Sequence, residues 1–338
     1  MSVKETIIKY AVAYYYGVRL AALLLIGFIC KPSEFRVKER TKPPKCLKDE
    51  ALGVHGYLTL KGVKIHYVEK GDRSKPLMLF LHGFPEFWYS WRYQMKEFSK
   101  DYWTVAIDQR GYGDSEKPSG VKNYDIDLLV EDVKQTVEAL GRQKFILVAH
   151  DWGGLVAWNF VAKHHHMLEK YIIMDAPYTT AWMNTAFTNK KQFKCSWYVF
   201  FYILPYLPEL MFSAFDFRAF AIVFRRKKSK DVSPVSDDDI EAYKYTFGKP
   251  GALTPPINYY RHFMSSKSAD DEIQVIDIDV PGLLIFGEFD DYLIPESVPI
   301  TQQYVKKLET RTVKGGNHFV QQDEPEAVNR YITEFLQK

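Results

Sequence analysis

The stretch Phe145-Ile146-Leu147-Val148-Ala149-His150-Asp151-Trp152-Gly153-Gly154 constrains this chain more than any other. Its first five residues form an unbroken apolar run of strand length, and a strand that is apolar on both faces belongs inside a sheet covered on both sides. The run ends at a polar residue, Asp151, with Ala149 two positions before it and Gly153 two positions after it. Small neighbours at those positions mark a sharp strand-to-helix turn, which leaves no room for side chains and lifts its central residue clear of the sheet. Here the lifted side chain is a carboxylate, where Asp could otherwise simply cap the following helix.

Other segments repeat the pattern. Residues 77–81, 103–107, 171–174 and 283–286 are continuous apolar runs, and 57–60 and 63–68 flank Lys61-Gly62 in the manner of a β-hairpin. Between strands lie helical stretches such as 124–140, where Ile126, Leu129, Val130, Val133 and Val137 share one face. Strand–helix alternation predicts a mostly parallel, doubly wound α/β sheet. From about Thr179 to Met264 the alternation gives way to a helical stretch rich in Phe, Tyr and Trp, which reads as a cap inserted into the sheet. Within it, Ser236-Asp237-Asp238-Asp239 looks like a helix start. The basic run from Arg225 to Lys230 reads as a solvated loop, with contact to lipid headgroups as the sharper alternative.

With 338 residues, 46% of them apolar, the chain can fill one large α/β core plus a smaller insertion. Its 45 basic and 42 acidic residues leave a net charge of +3, too balanced to draw it to nucleic acid. Cys30, Cys46 and Cys195 have neither metal-ligand nor redox-pair spacing, and no cofactor or metal site is expected.

Residues 10–30 are apolar, aromatic or small except for Arg19, with Lys9 and Lys31 at the ends. At about 1.5 Å per residue this run just spans a hydrocarbon core roughly 30 Å thick. Arg19 near its middle costs roughly 2.5 to 3.5 kcal/mol on insertion scales. A spanning anchor is expected, with an interfacial helix or a helix packed on the folded domain as alternatives. Lys31, Arg36, Lys38, Arg40, Lys42 and Lys45 outnumber Lys4 and Lys9, which puts the domain beyond them in the cytosol. The expected organisation is anchor and linker over 1–46, core over 47–178, helical cap over 179–264, and the rest of the core over 265–338.

Three further segments bear on Asp151. His82-Gly83-Phe84-Pro85-Glu86 follows the strand ending at Leu81, Gly287-Glu288-Phe289-Asp290-Asp291 follows the strand ending at Phe286, and Gly315-Gly316-Asn317-His318-Phe319 comes late in the chain. Nucleophile, acid and histidine in that order form a triad, with Asp290 favoured over the adjacent Asp291. The backbone N–H groups of Phe84 and Trp152 would serve as an oxyanion hole. No Gly-x-Ser-x-Gly occurs, so an ordinary serine esterase is disfavoured.

His-Gly-Phe-Pro-Glu at 82–86, Asp-Gln-Arg-Gly-Tyr-Gly-Asp-Ser at 108–115 and His-Asp-Trp-Gly-Gly at 150–154 resemble the α/β-hydrolase-fold epoxide hydrolases. The runs at 75–78 and 87–93, with the apolar segment in front, look like the membrane-anchored animal epoxide hydrolases of types 3 and 4. The resemblance implies two cap tyrosines that hold and protonate the epoxide oxygen. Tyr198 matches the first, although Trp197 and Tyr202 stand close by, and Tyr260 matches the second. It also implies a small apolar epoxide and water as reactants, lipid contact through residues 10–30, and an endoplasmic reticulum location. A haloalkane dehalogenase is the nearest rival, with no use for two cap proton donors. A silent, membrane-tethered lipid-binding or scaffolding protein is the rival from another class.

Overall fold

The computed structural model describes residues 3–225, 234–265 and 277–338. Of the basic run at 225–230, only Arg225 falls within them. Strands β1 (Val54–Leu60), β2 (Val63–Lys70), β3 (Leu77–Leu81), β4 (Trp103–Ile107), β5 (Phe145–His150), β6 (Leu168–Met174), β7 (Gly282–Gly287) and β8 (Leu308–Val313) form one sheet. Its order is β1-β2-β4-β3-β5-β6-β7-β8. The β1–β2 hairpin and the β2–β4 pair are antiparallel, and all other pairs are parallel. Strands β3, β4, β5 and β7 are buried at every position, as their unbroken apolar runs require. Strand β8 was not among the runs picked out from the sequence. It lies at the sheet edge with only Leu308 and Val313 buried, so it carries no continuous apolar signal.

The order matters for the site. Strand β3 lies between β4 and β5, so the winding direction reverses beside it, and such a reversal opens a crevice at the carboxyl ends of the two strands. The loop carrying Phe84 leaves β3 there, and Asp151 leaves β5 there.

Helices α2 (Arg92–Phe98), α3 (Ile126–Ala139) and α4 (Trp152–His164) follow successive strands of the first half, and α11 (Ser297–Tyr304), α12 (Val320–Asp323) and α13 (Pro325–Leu336) belong to the second. Between β6 and β7 the chain leaves the sheet to build α5 (Thr179–Thr188), α6 (Lys190–Cys195), α7 (Trp197–Phe201), α8 (Leu207–Phe224), α9 (Asp237–Phe247) and α10 (Thr254–Ser265). They close over the crevice: Tyr260 of α10 stands 5.3 Å from Phe84 and 4.9 Å from Trp152, ring to ring. Helix α9 starts at Ser236, whose Oγ accepts the Asp239 N–H while Asp239 Oδ2 accepts the Ser236 N–H. Helix α8 breaks at Ala214, and Phe215, Asp216 and Phe217 take left-handed backbone angles. Asp216 is fixed there by the Arg40 guanidinium, at 2.7 and 2.8 Å, and by the Lys38 N–H. The segment after the apolar run is therefore tied to the helices between β6 and β7, and one of its basic residues is spent on an internal ion pair.

Helix α1 (Val3–Cys30) is the one described helix long and apolar enough to cross a membrane. Its covered positions, Lys9, Val12, Ala13, Tyr16, Gly17, Leu20, Leu24 and Gly27, recur at helical spacing and form a single stripe. The stripe rests on α7 and α8. Tyr16 stacks 5.1 Å from Trp197, Gly17 lies against Leu204, and Gly27 lies against the Phe215 ring. Lys9 donates to the Met264 carbonyl in the last turn of α10. The opposite face, with Ile7, Tyr14, Val18, Leu25, Ile26 and Ile29, is exposed and apolar. A helix that keeps the covered stripe in place cannot also be surrounded by lipid.

Candidate active site

Asp151 occupies the turn between β5 and α4 with φ 48° and ψ −118°, a conformation that L side chains rarely adopt. The turn is as tight as the small neighbours suggested: a Cβ on Gly153 would run into the Leu81 carbonyl, and one on Gly83 would run into Asp151. The Phe84 N–H donates to Asp151 Oδ1 at 2.7 Å. Trp152, the first residue of α4, places its amide at the helix N-terminus directly after the carboxylate.

His318, in the loop before α12, faces Asp151 with Nε2, 3.4 Å from Oδ2. Its Nδ1 lies 2.7 Å from Asp290 Oδ2. Asp290, not the neighbouring Asp291, turns to the imidazole. Its other oxygen accepts the Tyr292 and Leu293 N–H groups, which fix the carboxylate from the β7–α11 loop. Burial alone would lower the pKa of His318, but Asp290 and Asp151 outweigh it and raise it well above the ordinary imidazole value. Burial would raise Asp151, yet His318, His150 and the Phe84 N–H together hold its carboxyl below the usual carboxylate range.

His150 and His82 flank the site in supporting roles. His150 Nε2 lies 2.8 Å from the His318 carbonyl and its Nδ1 lies 2.7 Å from Glu86, which also accepts the Gly83 N–H and the amides of Gln321 and Gln322. Glu86 thus ties together the loops that carry Phe84, Asp151 and His318. Its place in the His-Gly-Phe-Pro-Glu motif gave no sign of this. His82 Nε2 accepts the Gln109 N–H, and burial lowers its pKa.

Across from Asp151 stand Tyr198 of α7 and Tyr260 of α10, with ring centroids 6.0 Å apart. Neither hydroxyl makes a hydrogen bond among the described residues, and burial next to Asp151 pushes both phenols well above their ordinary pKa, so they stay protonated. Of the two neighbours that compete with Tyr198 in the sequence, Trp197 turns outward to Tyr16 of α1. Tyr202 faces inward, 4.8 Å from Tyr260.

A cavity opens beside these groups, walled by Trp152, Leu155, Trp182, Val199, Phe263 and Leu293. A second is lined by Phe84, Tyr202, Phe212, Tyr292 and His318. Asp151, Tyr198 and Tyr260 line both, so the two chambers meet where a carboxylate faces two phenols. The walls are apolar and the polar groups few and convergent, as in a site that orients a greasy ligand at one reactive point.

Residues 76–325 match the α/β hydrolase fold family. The chain is 42% identical to epoxide hydrolase 1 of Caenorhabditis elegans, over 96% of its own length and 80% of that protein. It is 40% identical to mouse epoxide hydrolase 4, over 90% of its own length and 85% of that protein. Among solved structures, an inhibitor complex of Bacillus megaterium epoxide hydrolase superposes with a TM-score of 0.75 at 33% identity, covering 84% of this chain and 100% of the other. An aspartate at the elbow, a histidine and acid behind it and a sheet of this order, in a chain so similar to these proteins, leave one assignment: the chain belongs to the epoxide hydrolases of the α/β-hydrolase fold.

Proposed function

We propose that this epoxide hydrolase works through a covalent aspartyl ester, and that its substrates are apolar, lipid-derived epoxides met at a membrane. The observation that carries the mechanism is the meeting of Asp151 with Tyr198 and Tyr260 across one cavity, with His318 and Asp290 behind the carboxylate. A strained ether carbon needs a nucleophile on one side and a proton donor at its oxygen.

In the first step Asp151 Oδ2 attacks a ring carbon, the carbon–oxygen bond of the ring breaks, and a phenol of Tyr198 or Tyr260 gives its proton to the alkoxide. Asp151 Oδ1, already held by the Phe84 N–H, becomes the ester carbonyl oxygen. In the second step His318 takes a proton from water, and the hydroxide adds to the ester carbonyl carbon. The Phe84 and Trp152 amides hold the oxyanion, and its collapse releases the diol with a proton returned from His318. Collapse leaves a proton on the Asp151 carboxyl, and its passage through water to the tyrosinate left by the first step restores both groups. Epoxide plus water has become a vicinal diol.

Single turnover in ¹⁸O-labelled water tests this route. The label enters the Asp151 carboxylate and not the first diol released; label in that first diol would mean direct attack of water on the ring. A panel of fatty-acid epoxides in the same assay tests the substrate class, and turnover of small polar epoxides alone would overturn it.

Lipid contact is supported by the exposed apolar face of α1. With the opposite face resting on α7 and α8, attachment with the helix lying along the protein, outer face in the bilayer, fits better than a span. Three cysteines, none of them in a disulfide, fit the reducing cytosolic face of the endoplasmic reticulum.

A further inference from the structure

Asp175 immediately follows β6 and takes a left-handed backbone angle, φ 42°. It is completely buried. Its Oδ1 accepts the Gly287 N–H at 2.8 Å, while Oδ2 is buried with no hydrogen-bond partner. The parallel order β5-β6-β7-β8 brings the ends of these strands side by side, so one atom each of Asp175, Asp290 and His318 lie within 4.8 Å of one another. Asp290 accepts the Tyr292 and Leu293 N–H groups on Oδ1 and faces His318 with Oδ2, which keeps a second lone pair open. Two buried carboxylates therefore lie beside one imidazole, and one of their oxygens lacks a donor.

A divalent ion is held by about four or more ligands, and a single open oxygen does not supply them. A proton does fit. On Asp175 Oδ2 it turns a stranded acceptor into a donor, and the nearest anionic acceptor is Asp290.

We propose that Asp175 is a positioning residue for ester hydrolysis, a neutral carboxylic acid whose Oδ2–H donates to Asp290 and keeps one negative charge, not two, behind His318. The groups facing it from neighbouring elements are Asp290 after β7 and His318 after β8. Burial first, then the Asp290 charge, raises its pKa well above the usual carboxylate value, against smaller opposing effects of His318 and the Gly287 N–H. A second anion there would favour the imidazolium, and His318 would be a poorer base toward water. The proposal rests on reading Asp290 and His318 as the pair that activates water.

Infrared difference spectroscopy at neutral pH tests the proton directly. The wild type shows a protonated-carboxyl stretch, shifted in heavy water, that Asp175→Asn lacks. In single turnover, Asp175→Leu slows ester hydrolysis by about ten- to a hundredfold, as expected of a buried pair stripped of a donor, and slows ester formation less. Asp175→Asn, whose amide can still donate to Asp290, recovers most of the rate. Identical spectra for wild type and Asp175→Asn, or wild-type hydrolysis in Asp175→Leu, would overturn the proposal. Absence of an ester in every variant would sink the covalent route instead, and the infrared comparison would still decide whether Asp175 carries the proton.

Discussion

His318 points Nε2 at Asp151 across 3.4 Å while its Nδ1 is held 2.7 Å from Asp290, so the imidazole stands between two carboxylates. In the proposed route only one of them stays an anion once Asp151 becomes an ester. The first step thereby withdraws part of what holds the proton on His318 and frees the ring to act as a base in the second.

A pH dependence follows, and its sign is fixed. A protonated His318 cannot take a proton from water, so ester breakdown slows as pH falls through the imidazole pKa of the ester form and recovers as pH rises. Ester formation needs the Asp151 carboxylate, whose pKa is held low, and phenols that stay protonated, so it persists to lower pH. Rapid-quench measurement of both steps shows ester accumulating on the acid side. Equal pH profiles for the two steps would refute this division of labour.

Replacing His318 with Gln removes the base but leaves Asp151 able to attack. The variant, mixed with an epoxide that the wild type turns over, gains one substrate mass in intact-protein mass spectrometry, and Asp151→Asn gains none at first. An unshifted His318→Gln mass would exclude the ester.

In the proposed route the phenols act at the other end of the breaking bond. Tyr198→Phe and Tyr260→Phe each slow ester formation, and the double variant loses about a hundredfold or more, within the usual reach of general acid catalysis. Either phenol can partly cover for the other because their rings stand 6.0 Å apart over the same carboxylate. Wild-type ester formation in the double variant would remove both from the mechanism.

Topology has its own test. Under the proposed cytosolic placement, protease added to intact microsomes digests the catalytic domain. Full protection without detergent would place it in the lumen.

What could be read from the sequence depended on how local the physical constraint is. The elbow is local: the backbone at Asp151 tolerates only small neighbours, and Ala149 and Gly153 announce it. The interiors of β3, β5 and β7 are likewise dictated by burial on both faces. Tyr198 is different, since nothing within α7 distinguishes it from Tyr202. Only the arrangement of α7 against α10 decides which rings face Asp151, and the family resemblance had to stand in for it. Asp175 ends an ordinary apolar strand and gains its neighbours purely from sheet order. For α1 the sequence is silent in principle, because lipid and the flank of α7 reward the same apolar stripe.

The packing of α1 bears on how the enzyme can be handled. Its covered face touches α7, which carries Tyr198, and Lys9 closes the last turn of α10, which carries Tyr260. Trimming the first thirty residues to obtain a freely soluble enzyme would strip away the support behind α7 and α10 along with the greasy outer surface. Such a shortened enzyme would bare Trp197 and Leu204, clump or loosen, and understate the turnover of the intact chain. A full-length preparation in detergent or nanodiscs is the material on which rates mean what they say.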